Sequence, residues 1–328
     1  MSELRQDLVS GDWIIMAPER AKRPHDLLKK RKPRKPSPKQ SCPFENLEKS
    51  GNWPPILSYP SDKKWEVAII PNKYPALRHF PGCSVSLRHG PHDVKSGSGD
   101  HDLVITRDHN KNLGDLSRGQ AVRLLTTLQK RYRMLSKDPC NVYTSTFFNW
   151  GGGAGATIYH PHYQVLTLPI IPPDVGHSLD GSRSYFQKHR KCVHCIMLDF
   201  DVKEKKRVIE KNRFAISIAP FVSRVPFETR VFPLRHRYGF ERTPLREIEA
   251  VASVLQSSLR RIKKYLKDPD LNFFIHTAPL KDHRYNYYHW HIEVIPKITM
   301  FGGFELSTGV EINVVDPEQA AIILRGGR

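Results

Sequence analysis

The hydrophobic and polar residues of the chain follow two similar series, each a set of short strands around one long helix. A helix is predicted over residues 115–136, where apolar positions recur at helical spacing, namely Leu124, Leu125, Leu128, Tyr132 and Leu135. A second amphipathic stretch predicts a helix over residues 244–266. Residues 316–324 are predicted to form a shorter closing helix.

The predicted strands are short apolar runs bounded by turn residues. They lie at 12–16, 65–71, 103–106, 142–149 and 159–169, and again at 215–219, 228–233, 271–277 and 289–296. Residues 40–62 and 81–101 are predicted loops, and residues 170–190 a linker. Because successive strands are joined by short turns, with one helix in each series, the pattern predicts an α+β fold of antiparallel sheets, each with a packed helix.

The two series carry the same chemical groups in the same order. Each has a cysteine-containing pair, a lone histidine, the helix, a Lys-Asp-Pro turn and a His-x-His strand. The groups are Cys42-Pro-Phe-Glu45, His109 and His160-Pro-His162, and then Cys192-Val-His-Cys195, His236 and His289-Trp-His291. We infer an internal duplication and predict two domains, residues 1–180 and 181–328. The copies differ at Gln164 and Glu293, where their functions are expected to have separated.

The composition limits the class of protein. With 328 residues and 39% hydrophobic content, the chain is long enough for about two globular domains. It has no apolar run of ~20 residues and no signal-like N-terminus. We therefore expect a cytoplasmic protein that does not associate with a membrane. Five cysteines, two of them in Cys-x-x-Cys, favour metal binding over disulfides. Cys83 and Cys140 are expected to be inert.

The net charge of +19 predicts an anionic partner. The densest basic run, residues 20–39, is rich in proline and is predicted to be an extended surface loop. A zinc-containing nucleic-acid-binding protein is therefore one hypothesis. The Cys and His residues, however, lie dozens of residues apart rather than at finger-like spacing, and no aromatic-basic RNA-binding signature is present. Phosphorylated small molecules fit the charge better.

The His-x-His strand of the first series is the strongest candidate for catalysis. Alternate side chains of a strand share one face, so His160, His162 and Gln164 form a row. The row follows the glycine-rich loop 149–157, in which Gly151 and Gly155 allow close backbone approach and amide contacts to phosphate oxygens. One imidazole can then bind metal while the other faces a substrate.

Two ligand sets are predicted to bind Zn²⁺. Cys192, Cys195, His236 and His289 form a Cys₂His₂ set, which suits a tetrahedral zinc site. The corresponding first set is Cys42, Glu45, His109 and His160. It has a carboxylate in place of one thiolate and is expected to bind metal less tightly.

These residues resemble the galactose-1-phosphate uridylyltransferases, a duplicated branch of the histidine-triad superfamily. The resemblance runs nearly end to end and includes Pro18-Glu-Arg-Ala-Lys-Arg-Pro24, Pro71-Asn-Lys-Tyr-Pro-Ala76, His160-Pro-His-x-Gln164 and Gly302-Gly-Phe-Glu305. Tyr163 replaces the usual glycine of the His-Pro-His motif. Cys192-x-x-Cys195 and the Asn-Lys-Tyr-Pro-Ala motif look more like an archaeal and plant subgroup that includes an ADP-glucose phosphorylase.

The resemblance implies ping-pong transfer of a nucleoside monophosphate from a nucleotide sugar to a hexose 1-phosphate. His162 would be the nucleophile, and Gln164 would hold a phosphate oxygen. An ADP-sugar phosphorylase, with inorganic phosphate as acceptor, is the alternative. Lys73 stands where the uridylyltransferases often carry a ribose-binding aspartate. The resemblance also implies a homodimer and further substrate-binding residues, namely Arg20, Arg23, Asn72, Asn149, Thr157 and His291.

Overall fold

The computed structural model describes residues 1–22, 34, 36–280 and 285–327. Within them, the strands of the first half are β1 (Glu3–Gln6), β2 (Trp13–Met16), β3 (Leu57–Tyr59), β4 (Val67–Pro71), β5 (Ser86–His89), β6 (His92–Lys95), β7 (His101–Thr106), β8 (Tyr143–Trp150) and β9 (His162–Leu168). Those of the second half are β10 (Val208–Lys211), β11 (Ala215–Ile218), β12 (Thr229–Pro233), β13 (Leu271–His276), β14 (His291–Pro296) and β15 (Ile312–Asn313). The helices are α1 (Arg118–Leu135), α2 (Pro173–His189), α3 (Val193–Glu204), α4 (Leu245–Tyr265), α5 (Gly303–Thr308) and α6 (Pro317–Arg325).

Ten of the described strands form one sheet in the order β10-β11-β12-β14-β13-β8-β9-β7-β4-β3. Every pairing in it is antiparallel. The order is symmetric about the contact between β8 and β13, where Trp150 lies opposite Leu271 and Thr146 opposite Ile275. The predicted α+β class and the duplication are confirmed, and the two expected sheets are joined edge to edge into one.

The helices α1 and α4 pack against each other over this sheet. Ser117 and Gln120 form a capping box that starts α1. Each helix reaches the opposite half through a buried glutamine. Gln129 of α1 donates to the carbonyls of Phe240 and Thr243, and Gln256 of α4 donates to those of Leu113 and Leu116. The two halves therefore share one core, and the division predicted at residue 180 falls inside α2.

Three loop or linker predictions are wrong. Residues 170–190 contain the 17-residue helix α2, which starts at Pro173 and buries Val175, Leu179 and Ser182 on one face. Residues 40–62 contain the edge strand β3, and residues 81–101 contain the exposed hairpin of β5 and β6. These strands are polar or very short, so they lack the apolar alternation that reveals a strand.

Cys83 and Cys140 are not inert free thiols, as the sequence suggested, but form a disulfide. They lie 57 residues apart in sequence. Cys83 belongs to the long segment between β4 and β7, and Cys140 to the turn that follows α1. No spacing rule pairs two such distant cysteines. None of the helices in the described ranges is both long and apolar enough to cross a membrane.

Candidate active site and metal centres

The histidine row lies on β9 as the alternation predicts. Tyr163 points to the other face, where it is fully buried and stacks on Phe148 at 4.5 Å between ring centroids. The tyrosine that replaces the family's usual glycine therefore fills the core between the sheet and α1, and it leaves His162 and Gln164 on the opposite face.

Among the described residues, only one ring nitrogen of His162 has a hydrogen-bond partner. Its Nδ1 lies 2.9 Å from the carbonyl oxygen of His160, which can only accept, so Nδ1 carries the proton and Nε2 carries the lone pair. The side chain is 6% exposed and packs against the ring of Phe44. Burial lowers the pKa of His162 below its ordinary value, so the imidazole is neutral at pH 7. These conditions leave Nε2 with the accessible lone-pair chemistry that a nucleophilic histidine requires.

A cavity of about 270 Å³ lies against the glycine loop and is also lined by Tyr159 and Pro161, whereas His162 and Gln164 are not among its described lining residues. Its lining includes Asn149, Gly151 and Thr157, which the sequence predicted to contact substrate. Gly151 and Gly155 both have positive φ, at 87° and 88°, which only glycine adopts readily. A β-carbon on Gly151 would also lie 1.9 Å from the Oδ1 atom of Asp270, so the loop excludes any larger residue here.

The second half of the chain holds the glycine loop in place. Asp270 accepts a hydrogen bond from the Gly153 amide at 2.7 Å. The Nδ2 atom of Asn272 donates to the Ala154 carbonyl at 2.9 Å and to Oδ1 of Asn149 at 2.8 Å. Because the carbonyl can only accept, Asn272 presents its NH₂ group to Asn149, whose own NH₂ group then turns away from Asn272. Neither Asp270 nor Asn272 was predicted from the sequence.

The guanidinium that lines the cavity belongs to Arg34. It stacks 4.0 Å from the centroid of Trp150 and donates to the Pro269 carbonyl at 2.8 Å and to Asp270 at 3.3 Å. Arg20 is exposed on the short helix Pro18–Lys22 and is not among the cavity-lining residues described, while Arg23 lies outside the described residues. Within the predicted basic segment, Arg34 is thus the described residue next to the glycine loop.

Asn72 directly follows β4 and lies next to His101, the first residue of β7. Its Oδ1 atom accepts from the backbone N–H of Tyr74 at 3.0 Å, and the backbone N–H of Asn72 donates to the carbonyl of His101 at 2.9 Å. His101 in turn contacts Gln164 at 2.9 Å. Lys73 is exposed beside this turn.

The first predicted metal set is brought together. The candidate ligand atoms of Cys42, Glu45, His109 and His160 all lie within 4.8 Å of one another. Nε2 of His109 lies 2.9 Å from the Ser37 carbonyl, and Nε2 of His160 lies 2.7 Å from the Thr106 carbonyl. Each Nε2 must therefore carry the proton, which leaves both Nδ1 lone pairs directed at the cluster. Backbone partners of this kind orient histidine ligands in metal sites, so the four residues fit a metal ion.

In the second predicted metal set, the candidate ligand atoms of Cys192, Cys195 and His236 lie within 4.8 Å of one another, and His289 is linked to them through its contact with Cys195. The sulfur of Cys195 lies 3.3 Å from Nδ1 of His236 and 3.6 Å from Nδ1 of His289, and Cys192 lies within the same cluster. Cys192 caps the N-terminus of α3, whose dipole favours a thiolate. A hydrogen bond from Cys195 lowers the pKa of Cys192 to about 5, although burial opposes the shift. The set is chemically that of a closed tetrahedral zinc site.

A third cluster occupies the second-half position that corresponds to the active site. His291 and Glu293 stand where His162 and Gln164 stand in the first half, and they line a separate cavity of about 360 Å³. Glu293 pairs with Arg224 at 2.7 Å and with Arg230 at 2.9 Å. His291 therefore lies among buried ion pairs rather than beside the glycine loop.

This cluster predicts acid sensitivity. Burial, opposed by the contact with Glu293, lowers the pKa of His291 from 6.5 to about 4. Between pH 6.5 and 4, His291 is protonated in the unfolded chain but largely neutral in the folded chain. The free energy of unfolding therefore falls as the pH is lowered from 6.5 towards 4. We expect His291 alone to contribute about 3 kcal/mol to the fall in unfolding free energy.

Urea unfolding of chelator-treated protein at pH 7 and pH 4 measures this effect. The matched variant His291→Gln cannot gain this charge and should lose about 3 kcal/mol less between the two pH values. An identical pH dependence in the two proteins would contradict the assignment.

The duplicated sheet, the buried histidine followed by an amide on β9, and the glycine-rich loop that precedes them indicate an enzyme of the nucleotidyltransferase type. The chain is 36% identical to an ADP-glucose phosphorylase of Arabidopsis thaliana, over 98% of this chain and 92% of that protein. It is 26% identical to a galactose-1-phosphate uridylyltransferase of Thermotoga maritima, over 99% and 98% of the two chains. The chain therefore belongs to the galactose-1-phosphate uridylyltransferase family.

Solved structures agree. The crystal structure of an Arabidopsis thaliana ADP-glucose phosphorylase with bound ADP-glucose superposes with a TM-score of 0.85 at 32% identity and covers 100% of both chains. The structure of a uridylyltransferase mutant superposes with a TM-score of 0.76 at 26% identity, over 99% of this chain and 98% of the other. No family model matches the chain.

Proposed function

We propose that the protein transfers a nucleoside monophosphate from a nucleotide sugar to a phosphate acceptor through a covalent intermediate on His162. The observation that carries this proposal is the single free lone pair of His162. Its Nε2 is left free by the hydrogen bond of Nδ1 to the His160 carbonyl, and Gln164 follows it on the same face of β9.

The reaction has two balanced steps. The Nε2 lone pair attacks the α-phosphorus, the P–O bond to the β-phosphate breaks, and that oxygen leaves with the hexose 1-phosphate. An oxygen of the acceptor phosphate then attacks the same phosphorus, the P–N bond breaks, and its electron pair returns to Nε2. No net proton transfer is needed when the leaving and attacking groups are both phosphates.

Gln164 suits transfer rather than hydrolysis. A water nucleophile must give up a proton, and a histidine at this position could take it. A neutral amide can donate to a phosphate oxygen but cannot accept and pass on a proton at neutral pH. The NH₂ groups of Gln164 and Asn149, with the amides of the glycine loop, would hold the charge of the phosphoryl group.

ADP-glucose and inorganic phosphate are the substrate pair that the similarity to the Arabidopsis phosphorylase supports. UDP-glucose and galactose 1-phosphate are the second candidate pair, supported by the uridylyltransferase relatives. Lys73 stands where the uridylyltransferases often carry a ribose-binding aspartate, and a lysine removes that hydrogen-bond acceptor, so we expect less strict UDP specificity than in those enzymes.

Paired kinetics test the substrate pair. The value of kcat/KM is measured for ADP-glucose and for UDP-glucose, each with inorganic phosphate and with galactose 1-phosphate. We expect ADP-glucose with phosphate to be turned over at least as well as the other combinations. A preference for UDP-glucose beyond roughly a thousandfold, or ~4 kcal/mol of transition-state stabilisation, would contradict this expectation and indicate a UDP-specific uridylyltransferase.

On this proposal each chain binds two Zn²⁺ ions, one on each ligand set. The ion on the first set would fix His160, which carries the carbonyl that sets the tautomer of His162. The ion on the second set would tie α3 to the sheet. The homodimer implied by the resemblance belongs to the same proposal, and sedimentation velocity of the purified protein measures it.

A further inference from the structure

We propose that His101 holds the Gln164 amide in one of its two orientations and is thus a positioning residue for the transfer. The inference rests on the function proposed above. His101 opens β7, and its Nε2 atom lies 2.9 Å from Oε1 of Gln164 on the neighbouring strand β9. Its other ring nitrogen, Nδ1, lies 3.0 Å from the backbone amide of Ala76.

The backbone contact decides the tautomer. An amide N–H can only donate, so Nδ1 of His101 accepts from Ala76 and Nε2 must carry the proton of the neutral ring. Nε2 then donates, and the Gln164 atom that faces it must be the carbonyl oxygen. A glutamine side chain has no intrinsic preference between its two amide orientations, so this contact selects one of them.

The Asn72 contact does not itself support this assignment, but it is longer than the Ala76 and Gln164 contacts that fix it. Its Nδ2 atom lies 3.3 Å from Nε2 of His101, and its Oδ1 is engaged by the Tyr74 amide. Nδ2 is therefore a donor that faces another donor, which is a packing contact rather than a second hydrogen bond. The Nε2–H group of His101 therefore donates to one acceptor, Oε1 of Gln164.

The consequence lies on the other side of the Gln164 amide. With Oε1 held by His101, the NH₂ group is left as the donor, and among the described residues it has no protein acceptor. It is free for a phosphate oxygen. A reversed amide would direct its own oxygen at the phosphoryl oxygens and repel them. Asn272 orients Asn149 in the same way, so both amides of the site are set by a neighbour that is anchored to the backbone.

Two variants separate positioning from support of the fold. His101→Gln keeps a donor at about the reach of Nε2 and loses the acceptor for Ala76. His101→Asn keeps an acceptor near Nδ1 and is too short to reach Gln164. We expect His101→Asn to slow formation of the nucleotidyl-enzyme from ADP-glucose about tenfold in single-turnover mass spectrometry, the factor of one neutral hydrogen bond, and His101→Gln to recover most of the rate. Equal rates, or the reverse order, would overturn the proposal.

A double-mutant cycle with Gln164→Ala tests whether the effect of His101→Asn depends on the Gln164 side chain, which a purely structural role of His101 would not require. In that background His101→Asn should change the rate by less than about twofold, because the amide it orients is gone. If the rate reductions of the two single variants multiply in the double variant, His101 acts independently of Gln164, and the proposal is wrong. If the wild-type enzyme forms no adduct with ADP-glucose or UDP-glucose, the proposed function fails. If it forms one and the variants do not differ, only the role of His101 fails.

Discussion

Replacing His162 by glycine or asparagine will abolish the covalent nucleotidyl-enzyme. On the proposed function, the buried, neutral ring of His162 supplies the lone pair that attacks phosphorus, and neither replacement has a comparable nucleophile. Removal of a covalent nucleophile costs on the order of 10⁴-fold or more in kcat. Intact-protein mass spectrometry after incubation with ADP-glucose or UDP-glucose measures the adduct directly.

His291→Asn provides the matched control, because His291 holds the same place in the second His-x-His strand. It lines a different cavity, among the Arg224, Arg230 and Glu293 ion pairs, so its loss should leave an adduct on His162. Peptide mapping locates the modified residue. An adduct that persists in His162→Gly, or that maps to another residue, would contradict the assignment.

The second large effect concerns stability. We expect Cys195→Ser to lower the unfolding free energy by more than about 4 kcal/mol in protein purified without chelator, because metal bound only by the folded state stabilises that state. Cys195 contacts both histidines of its set, so its loss removes the central ligand. A thermal melt should show a fall of roughly 10 °C. Glu45→Gln, in the first set, should have the smaller effect, since a carboxylate is the weaker ligand.

Chelation is the control for the metal account. If the stability derives from bound metal, wild type and Cys195→Ser should melt at similar temperatures after extensive chelator treatment. Chelator should also strip the Glu45-containing set before the Cys₂His₂ set. Elemental analysis that finds no zinc in the untreated protein would defeat both sites.

Much of this architecture could be predicted because the duplication repeats its signals. The helical spacing in α1 and α4 and the two His-x-His strands mark the centre of each half. The first metal set comes together from widely separated segments, and so do Cys192, Cys195 and His236 of the second set. The orders of the two halves mirror each other across β8 and β13. That the halves share one sheet was not predictable, since a strand's partner in another repeat leaves no local signal.

The missed site residues share one physical cause. His101, Asp270 and Asn272 act through contacts that cross strands or halves, at sequence separations of 63 from Gln164 for His101, 117 from Gly153 for Asp270 and 123 from Asn149 for Asn272. None belongs to a motif with a chemical spacing. In the sequence, Arg34 is one of many cations in the basic segment, and it is distinguished by its stacking on Trp150 and its hydrogen bonds to Pro269 and Asp270. Sequence motifs predicted the groups that we propose to react, whereas the groups that orient them could be found only in the fold.

The central claim is that the histidine carries a nucleotidyl group to a phosphate and not to water. Single-turnover and steady-state product analysis with and without acceptor tests it most directly. With nucleotide sugar alone, we expect about one equivalent of hexose 1-phosphate per active site and an adduct on His162 that persists. Addition of inorganic phosphate or galactose 1-phosphate should discharge the adduct and start continuous turnover. Sustained release of free nucleoside monophosphate in water alone, at a rate that acceptor does not raise, would contradict the account.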